Sequence, residues 1–365
     1  MDQMNNKTDN LKNTIIENFG TPCAVIDLDV VESNIARAQA LCDTAGVANR
    51  PHIKTHKSPL LAQMQIDAGA QGITCQKLGE AKIMADAGIT DILIATNLLG
   101  AARSGQLAAL QKTLPLKVCA DNAVTIAAYS KSATSANRAL DVVIECDTGQ
   151  QRAGVETPAE AITLARLIHE DPMLNFAGLL FYPTLDSWPQ TQQFYDELKN
   201  SLDELGLTAK IVSTGGTPNF RHIGKLVGAT EHRAGTCIFN DRMMIDAGFA
   251  TLEDCAYQVY SCVVSRGGSE RGILDAGSKT LTSDTGGLNG FGFIIEHPTA
   301  RIHKFAEEHG FLDLSGCNNK PDVGDVVRIV PNHVCVSVNM FDHLVAVRGG
   351  EVEQIIPVAA RGKLV

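Results

Sequence analysis

The sequence predicts an α/β protein in which a (β/α)8 barrel of the TIM type is followed by a smaller all-β domain. First, short β-rich apolar runs alternate with helical patterns through residues 20–250, and eight such repeats are what a closed parallel barrel of ~250 residues requires. Second, over residues 251–365 the rhythm changes to short alternating strands without helices of comparable length. Third, a chain of 365 residues with 44% hydrophobic and 20% charged residues has the composition of a globular protein with a large core.

The barrel strands and helices follow one another in order. The eight strands are expected at residues 52–54, 72–75, 91–95, 116–120, 141–146, 177–181, 210–213 and 231–238. The helices between them are expected at residues 58–68, 77–87, 101–111, 123–129, 158–169 and 190–205. Pro158 occupies a first-turn position, and Gly69, Gly88 and Gly206 follow three of the helices as terminating residues.

The second domain is predicted from seven further strands. They are expected at residues 255–264, 272–275, 292–296, 301–305, 325–330, 343–347 and 352–357, with Gly, Pro and Asn between them. Before the barrel, a strand over residues 23–28 leads into an amphipathic helix with apolar residues at Val30, Val31, Ile35, Ala38 and Leu41. The pattern leaves open whether residues 1–28 pack with the barrel or with the β domain.

Charge, hydropathy and cysteine spacing exclude several classes of protein. Asp and Glu outnumber Lys and Arg by 41 to 31, for a formal charge of −10, so no basic surface indicates a nucleic-acid partner. No apolar run approaches the ~20 residues of a membrane helix, and the polar start lacks a secretory signal. The ten cysteines stand singly, without CxxC pairs, as in reduced cytosolic proteins. We therefore expect a soluble, cytoplasmic protein.

The chemistry of such a barrel lies at the carboxyl ends of its strands. The residues that follow the predicted strands are Lys54, Gln76, Asn97, Asp121, Asp147 with Arg152, Tyr182, the run 214–217, Gly235 and Thr236. A lysine at the end of an apolar strand loses water, so its pKa falls and its amine can form a Schiff base with a carbonyl. Lys54, in the run RPHIKTHK, is the candidate, and the alternative is an ordinary surface lysine at a strand end.

Two glycine- and hydroxyl-rich turns indicate a phosphate site. STGGTP at residues 213–218 follows the seventh strand, and RAGT at residues 233–236 lies at the eighth. They stand where such barrels commonly bind phosphate, because glycines let the chain approach an anion and N–H groups at a helix start point towards it. One Gly-rich turn alone is a weak signal. Two of them opposite a Schiff-base lysine predict pyridoxal 5′-phosphate, which brings both an aldehyde and a phosphate.

Motifs along nearly the whole chain resemble the D-threonine aldolase and D-serine dehydratase family. They are TP at 21–22, RPHIKTHK at 50–57, CQK at 75–77, DTG at 147–149 with RAG at 152–154, STGGTP at 213–218, RAGT at 233–236, DAGSK at 275–279, EHG at 308–310 and PNHVC at 331–335. The resemblance implies the pyridoxal-phosphate fold type of alanine racemase, and homodimers with the site near the interface. It implies that Lys54 is the Schiff-base lysine and that Arg152 donates to the cofactor's phenolic oxygen. The predicted cofactor contacts are Lys54, Gln76, Arg152, Tyr182, Thr214, Gly215, Gly216, Gly235 and Thr236.

A separate pair in the β domain indicates a metal. His333 and Cys335 lie two positions apart, so on a strand both side chains would leave the same face and could bind one ion. Imidazole with thiolate suits Zn²⁺, with Mn²⁺ or Mg²⁺ as alternatives, although an HxC pair alone is usually structural. The resemblance implies a metal that contacts the substrate's 3-hydroxyl. Its aldolase branch more often has His-x-Asp and its dehydratase branch His-x-Cys, so Cys335 favours dehydration.

The sequence offers several candidates for the general base. Related enzymes tend to carry a histidine in the loop after Tyr182, whereas residues 182–188 read YPTLDSW. His52, His56 and Lys54 itself are the alternatives. His309, in EEHG, is either a residue near the substrate or a structural histidine of the β domain. The histidines without comparable sequence context are His169, His222, His232, His297, His303 and His343.

The parts together predict a pyridoxal-phosphate- and metal-dependent lyase that acts on a small D-3-hydroxy amino acid. The leading hypothesis is a dehydratase of the D-serine or 3-hydroxyaspartate type, which releases ammonia and a keto acid. The alternative is aldolase-type cleavage to glycine and an aldehyde. Racemisation is third, because it needs no metal. A non-enzymatic cofactor carrier is disfavoured by the appended β domain.

Overall fold

The computed structural model describes the backbone of residues 2–365 and the side chains from residue 10 onward. The strands are β1 Cys23–Asp27, β2 Ala48–Asn49, β3 Ile73–Cys75, β4 Ile92–Ile94, β5 Leu116–Ala120, β6 Leu140–Cys146, β7 Leu174–Phe181, β8 Ile211–Gly215, β9 Glu231–Arg233, β10 Tyr257–Arg266, β11 Arg271–Leu274, β12 Phe293–Ile294, β13 Arg301–Phe305, β14 Gly310–Asp313, β15 Val326–Val330, β16 His343–Arg348 and β17 Glu351–Pro357. The α-helices are α1 Asp2–Asn18, α2 Leu28–Ala45, α3 Pro59–Asp67, α4 Leu78–Asp86, α5 Ala101–Thr113, α6 Ala123–Ala136, α7 Pro158–Glu170, α8 Trp188–Glu204, α9 Arg242–Asp246, α10 Ser278–Leu281 and α11 Val334–Val338. They form two units: a barrel unit of residues 36–54, 59–235 and 362–365, and a β unit of residues up to 35, 55–58 and 236–361.

The barrel unit is an eight-stranded parallel sheet in the order β2-β9-β8-β7-β6-β5-β4-β3. A parallel bridge between His52 and Thr74 joins the chain after β2 to β3 and closes the barrel. Helices α3 to α8 each follow a strand, which confirms the predicted (β/α)8 architecture. The start of helix α7 can be predicted from the sequence, because Thr157 and Glu160 form a capping box and Pro158 occupies the first turn.

The inside of the barrel unit combines an apolar cluster with buried charges. The cluster spans β4 to β7 and comprises Leu93, Cys119, Val143, Ala177 and Leu180. Near the amino ends of the strands, Arg50 Nε lies 2.7 Å from the Glu231 carboxylate, and the same guanidinium pairs with Asp91. Both Arg50 and Glu231 are buried. These charges compensate one another, because an isolated buried ion would be strongly destabilising.

The β unit is a nine-stranded sheet in the order β13-β14-β11-β10-β1-β16-β17, with β15 pairing β10 and β12. Strand β1 is antiparallel to β10, with Cys23 opposite Tyr260, and parallel to β16, with Val25 opposite Val345. Ile15 of α1 is fully buried in the apolar cluster over this sheet. In this structure the described part of the N-terminal segment packs with the β strands.

Several predicted elements are wrong in detail. Residues 52–54 are not a strand: β2 covers Ala48–Asn49, His52 makes a single bridge, and a turn over residues 53–56 follows Pro51, which has no N–H to donate. The strand expected at 231–238 ends at Arg233, and Thr236–Ile238 is a 3-10 helix. Strand β14 was not predicted. The chain passes from the barrel unit to the β unit at residue 236 rather than at residue 250.

The described residues include no helix that is long and apolar enough to cross a membrane.

Candidate active site

Lys54 lies in the turn that follows the closing bridge of the barrel, and its side chain is exposed. The expectation that this lysine loses water at the end of a buried strand is therefore wrong, because the strand ends before it. Hydrogen bonds within the barrel unit hold this turn. The Lys54 N–H donates to His52 Nδ1 at 3.4 Å, His52 Nε2 lies 3.1 Å from Gln76 Oε1, and the Gln76 amide donates to the Ala95 carbonyl at 3.0 Å. This chain of contacts fixes the backbone from which the Lys54 amine projects.

The two histidines beside Lys54 make equivalent local contacts. Each accepts a backbone N–H from the residue two positions on: His52 from Lys54, and His56 from Ser58 at 3.1 Å. Since the Gln76 amide nitrogen donates elsewhere, its oxygen is the acceptor for His52 Nε2–H, so both ring nitrogens of His52 are engaged. The His56 side chain is fully buried. These contacts favour a positioning role for both histidines over the predicted role of general base.

The predicted phosphate turn packs against the Tyr182 ring. A Cβ built on Gly215 would lie 3.0 Å from Tyr182 Cδ2, and one on Gly216 would lie 3.1 Å from the Tyr182 hydroxyl. Gly216 also has φ +100, a conformation that other residues rarely adopt. Asn219 holds the turn by donating to the carbonyls of Gly215 and Pro183 at 2.9 and 2.8 Å. Only glycine leaves this cradle open at both positions.

His232, which sequence reasoning set aside, lies behind the same turn. Its Nδ1 is 2.8 Å from the Thr214 hydroxyl, and its Nε2 is 3.1 Å from the Gly216 carbonyl. Complete burial lowers the pKa of His232 to about 3, and the nearby Arg233 guanidinium acts in the same direction. The ring is therefore neutral: Nε2–H donates to Gly216, and Nδ1 accepts the Thr214 proton. A single imidazole thus fixes two of the predicted cofactor contacts.

Arg152 lies over the Tyr182 ring, with 4.9 Å between its guanidinium carbon and the ring centroid. The loop that carries it is held by Asp147, whose carboxylate accepts the N–H groups of Gly149, Gln150 and Arg152 at 2.8 to 2.9 Å. The guanidinium is also 3.6 Å from the buried Glu145 carboxylate. Burial raises the pKa of Glu145, while Arg152 and Arg233 oppose that rise. The structure therefore brings together the predicted Arg152, Tyr182, Thr214 and the glycines of the 213–218 turn.

Gly235 and Thr236 stand where the barrel unit ends along the chain. Gly235 is buried two residues after the end of β9, and Thr236 begins the 3-10 helix of the β unit. Within the β unit, Thr236 Oγ1 lies 4.0 Å from the Cys335 sulfur.

The predicted metal pair lies on a short helix, not on a strand. His333 caps α11 and Cys335 is in its first turn, so the expectation of two side chains on one strand face is wrong. The two side chains nevertheless interact, because Cys335 is among the groups that raise the pKa of His333. The Thr55 hydroxyl, from the residue after Lys54 in sequence, lies 3.1 Å from the Cys335 sulfur.

Asp241 is a further group at this pair that sequence reasoning missed. Its fully buried carboxylate lies 3.2 Å from His333 Nδ1. Burial alone would lower the pKa of His333, but Asp241 and Cys335 together raise it to about 10. Across the side chains that the structure describes, no cluster of three or more His, Cys, Asp or Glu is arranged to hold a metal. Within the described side chains, the candidate ligands for an ion here are therefore His333 and Cys335.

Sequence comparisons assign both parts of the chain to known families. Residues 26–242 match the family described as "Alanine racemase, N-terminal domain", and residues 256–347 match "Putative serine dehydratase domain". The fold and site thus define an alanine-racemase-type enzyme with a dehydratase-type β domain.

Relatives that match over most of their length indicate which family of such enzymes the chain resembles. The chain is 34% identical to a D-threonine aldolase of an Arthrobacter species over 94% of this chain and 93% of the relative. It is 32% identical to a D-threo-3-hydroxyaspartate dehydratase of a Delftia strain over 88% and 92%. A solved D-threo-3-hydroxyaspartate dehydratase, a cysteine-to-alanine mutant in the metal-free form, superposes with a TM-score of 0.86 at 29% identity, over 93% of this chain and 97% of that one. The chain belongs to the D-threonine aldolase and D-serine dehydratase family of pyridoxal-phosphate-dependent lyases.

Proposed function

We propose that this enzyme dehydrates a D-3-hydroxy amino acid of the D-serine or 3-hydroxyaspartate type, with pyridoxal phosphate on Lys54 and a divalent metal on His333 and Cys335. The observation that carries the proposal is the pairing of the His333 imidazole with a thiol, because Cys335 is the ligand type that separates the dehydratase branch of the resemblance from the aldolase branch. The relative from Delftia supports the same reaction class.

The barrel residues fit the cofactor. Gly215 and Gly216 leave open a cradle that a Cβ would fill, next to the Tyr182 ring. Arg152, over that ring, offers a cation for an oxygen of the cofactor or for the substrate carboxylate. When bound, pyridoxal phosphate withdraws electrons from the bonds at the substrate's Cα. The task of the chain is to orient the ring so that one of those bonds breaks.

The residues of the β unit fit a divalent ion. The His333 side chain is partly exposed, and the Cys335 thiol interacts with its ring. An imidazole with a thiolate favours Zn²⁺, with Mn²⁺ or Mg²⁺ as harder alternatives. A bound ion would polarise the substrate's 3-hydroxyl as a Lewis acid. The metal-free structure of a related mutant supports a metal in this family.

We propose Lys54 Nζ as the group that takes the Cα proton. Of the three predicted bases, His52 has both ring nitrogens engaged and His56 is fully buried, whereas the Lys54 side chain is exposed. Removal of that proton and departure of hydroxide from Cβ, followed by hydrolysis, give ammonia and a 2-keto acid. Departure of hydroxide is the step that metal polarisation assists.

Aldolase-type cleavage is the second candidate, and the Arthrobacter relative supports it. In this reaction the 3-hydroxyl proton is removed, the Cα–Cβ bond breaks, and glycine and an aldehyde result. The residues 182–188 contain no histidine that could take the hydroxyl proton. Racemisation ranks third, because it would leave His333 and Cys335 without a role.

One assay tests the proposal. Holo-protein with Zn²⁺ is incubated with D-serine, D-threonine and D-3-hydroxyaspartate, and products are identified. Keto acid with ammonia supports dehydration, glycine with an aldehyde supports cleavage, and the L-isomer alone supports racemisation. His333→Ala should keep the absorption band of the lysine-bound cofactor while turnover falls by orders of magnitude. The matched control is His297→Ala, which removes another half-buried histidine of the same unit. Full activity after metal stripping would overturn the metal assignment.

We further propose that the enzyme is a cytoplasmic homodimer. Its ten cysteines are all free thiols, as a reducing compartment maintains them. Fractionation of cells and sedimentation of the purified protein test the two statements separately.

A further inference from the structure

The Asp241 carboxylate lies beside the proposed metal ligands His333 and Cys335 and makes several contacts there. It is fully buried and caps α9, with Oδ1 accepting the Met244 N–H at 3.0 Å. Its Oδ2 accepts the Val334 N–H at 2.9 Å and lies 3.2 Å from His333 Nδ1. One carboxylate oxygen therefore contacts both the imidazole and the first residue of the helix that carries Cys335.

We propose that Asp241 is the positioning residue of the metal pair: it accepts a hydrogen bond from His333 Nδ1–H and so presents Nε2 to the metal. This inference rests on the proposed metal site. A histidine that binds a metal through one nitrogen usually donates the other N–H to a carboxylate or carbonyl, which fixes the tautomer and makes the ligating nitrogen more basic. Here the orphaned, buried Nδ1 already faces Asp241 Oδ2.

The neighbouring backbone shows why this carboxylate can position both ligands. The segments 241–243 and 331–334 are joined by further bonds: the Arg242 and Met243 N–H groups donate to the Pro331 and Asn332 carbonyls, each at 3.2 Å. The Arg242 guanidinium also donates to the Asn332 side chain at 2.6 Å. The hydrogen bond from the Val334 N–H to Asp241 joins the same two segments directly beside His333 and Cys335. Loss of the charge on Asp241 should therefore disturb metal binding more than it disturbs the fold.

The closing experiment measures Zn²⁺ affinity of the holo-protein by competition with a chromophoric chelator, and the thiolate-to-metal band after Co²⁺ loading. Asp241→Asn keeps the helix cap, because Asn caps helices as well as Asp does, but it removes the negative charge. We expect its Zn²⁺ affinity to fall 10- to 100-fold, the range found when such partners are replaced. Asp275→Asn is the matched control, because that carboxylate also accepts three hydrogen bonds, from Thr21, Ser261 and Cys262. It should bind Zn²⁺ like the parent.

The outcomes separate this inference from the proposed function. If the parent protein binds no Zn²⁺, or His333→Ala binds it as tightly as the parent, the metal site itself is wrong. If His333→Ala loses binding but Asp241→Asn stays within twofold of the parent, the role of Asp241 is wrong. If Asp241→Asn does not fold, ¹⁵N-detected NMR of the Zn²⁺-loaded parent decides. A proton on His333 Nδ1 with the metal on Nε2 supports the proposal, and the opposite arrangement overturns it.

Discussion

The neutral state of His232 is the sharpest quantitative prediction of the site. The imidazole is fully buried between the Thr214 hydroxyl and the Gly216 carbonyl, and its pKa is lowered from 6.5 to about 3. A histidine whose pKa falls on folding contributes stability that is complete above the pKa of the unfolded chain and is lost as the pH falls. At ~1.36 kcal/mol per pKa unit, the shift corresponds to about 5 kcal/mol once the pH is below both values.

Between pH 7 and pH 5 the contribution of His232 to the free energy of unfolding changes by a smaller but measurable amount. Between pH 7 and pH 5 the unfolded chain takes up most of one proton that the folded His232 does not, so the free energy of unfolding falls by about 2 kcal/mol from this residue alone. His232→Gln removes the titrating ring. The parent should therefore lose about 2 kcal/mol more than this variant between pH 7 and pH 5 in urea unfolding.

NMR provides the direct assay. In histidine-labelled protein, the His232 ring signals are assigned by their disappearance in His232→Gln and followed from pH 8 to pH 5. We expect a neutral ring with the proton on Nε2 throughout, whereas the histidines of the urea-unfolded protein titrate normally. A His232 signal that titrates with a midpoint near 6.5, or that carries its proton on Nδ1, would refute the assignment of both hydrogen bonds.

Four other predictions concern the barrel and the metal pair. Borohydride reduction and peptide mapping should place the pyridoxyl group on Lys54, and its recovery on another lysine would contradict the cofactor assignment. Gly216→Ala should weaken cofactor binding at least tenfold by equilibrium dialysis, because a Cβ would lie 3.1 Å from the Tyr182 hydroxyl at φ +100; unchanged affinity would show that the turn is not the cradle. Cys335→Asp should shift the metal preference from Zn²⁺ towards Mn²⁺ or Mg²⁺ in binding titrations, since oxygen is the harder ligand, and an unchanged order would argue against thiolate ligation. Arg50→Met should lower the free energy of unfolding by about 3–5 kcal/mol, because it leaves the Glu231 carboxylate buried and unpaired, and a loss below 1 kcal/mol would show that the ion pair is not required.

The sequence predicts the barrel well because buried parallel strands are nearly continuous apolar runs and the helices between them carry their own boundary signals. Thr157 and Pro158 mark the start of α7, and Asn137 in the left-handed conformation ends α6. The apolar runs do not show which residues of a run are paired. For this reason the first strand was placed at 52–54, although Pro51 interrupts the ladder just before it.

Sequence reasoning identified candidate site residues in local motifs and at predicted strand ends, but it missed the distant residues that hold them. The turn 213–218 and the pair His333 and Cys335 are local motifs, whereas His232 meets Thr214 from 18 residues away and Asp241 meets Val334 from 93. Contacts of this kind arise from strand register and loop packing, which a single sequence does not display. The buried titratable groups His232 and Asp241 are therefore recognised only in the three-dimensional structure.

The loop 182–188 lacks a histidine, and the contacts of His52, His56 and His232 indicate that none of these three rings takes its place as a base. Each of these rings accepts a hydrogen bond at Nδ1, two from backbone N–H groups and one from the Thr214 hydroxyl, so each acts as a fixed support for the turn beside it. A ring held in this way is poorly suited to collect a proton, because protonation at Nδ1 would break the bond that places it. The exposed Lys54 amine carries no such constraint from the turn that holds its backbone. This comparison supports the proposal that Lys54 takes the Cα proton, as dehydration requires, rather than deprotonation of the 3-hydroxyl by one of these histidines.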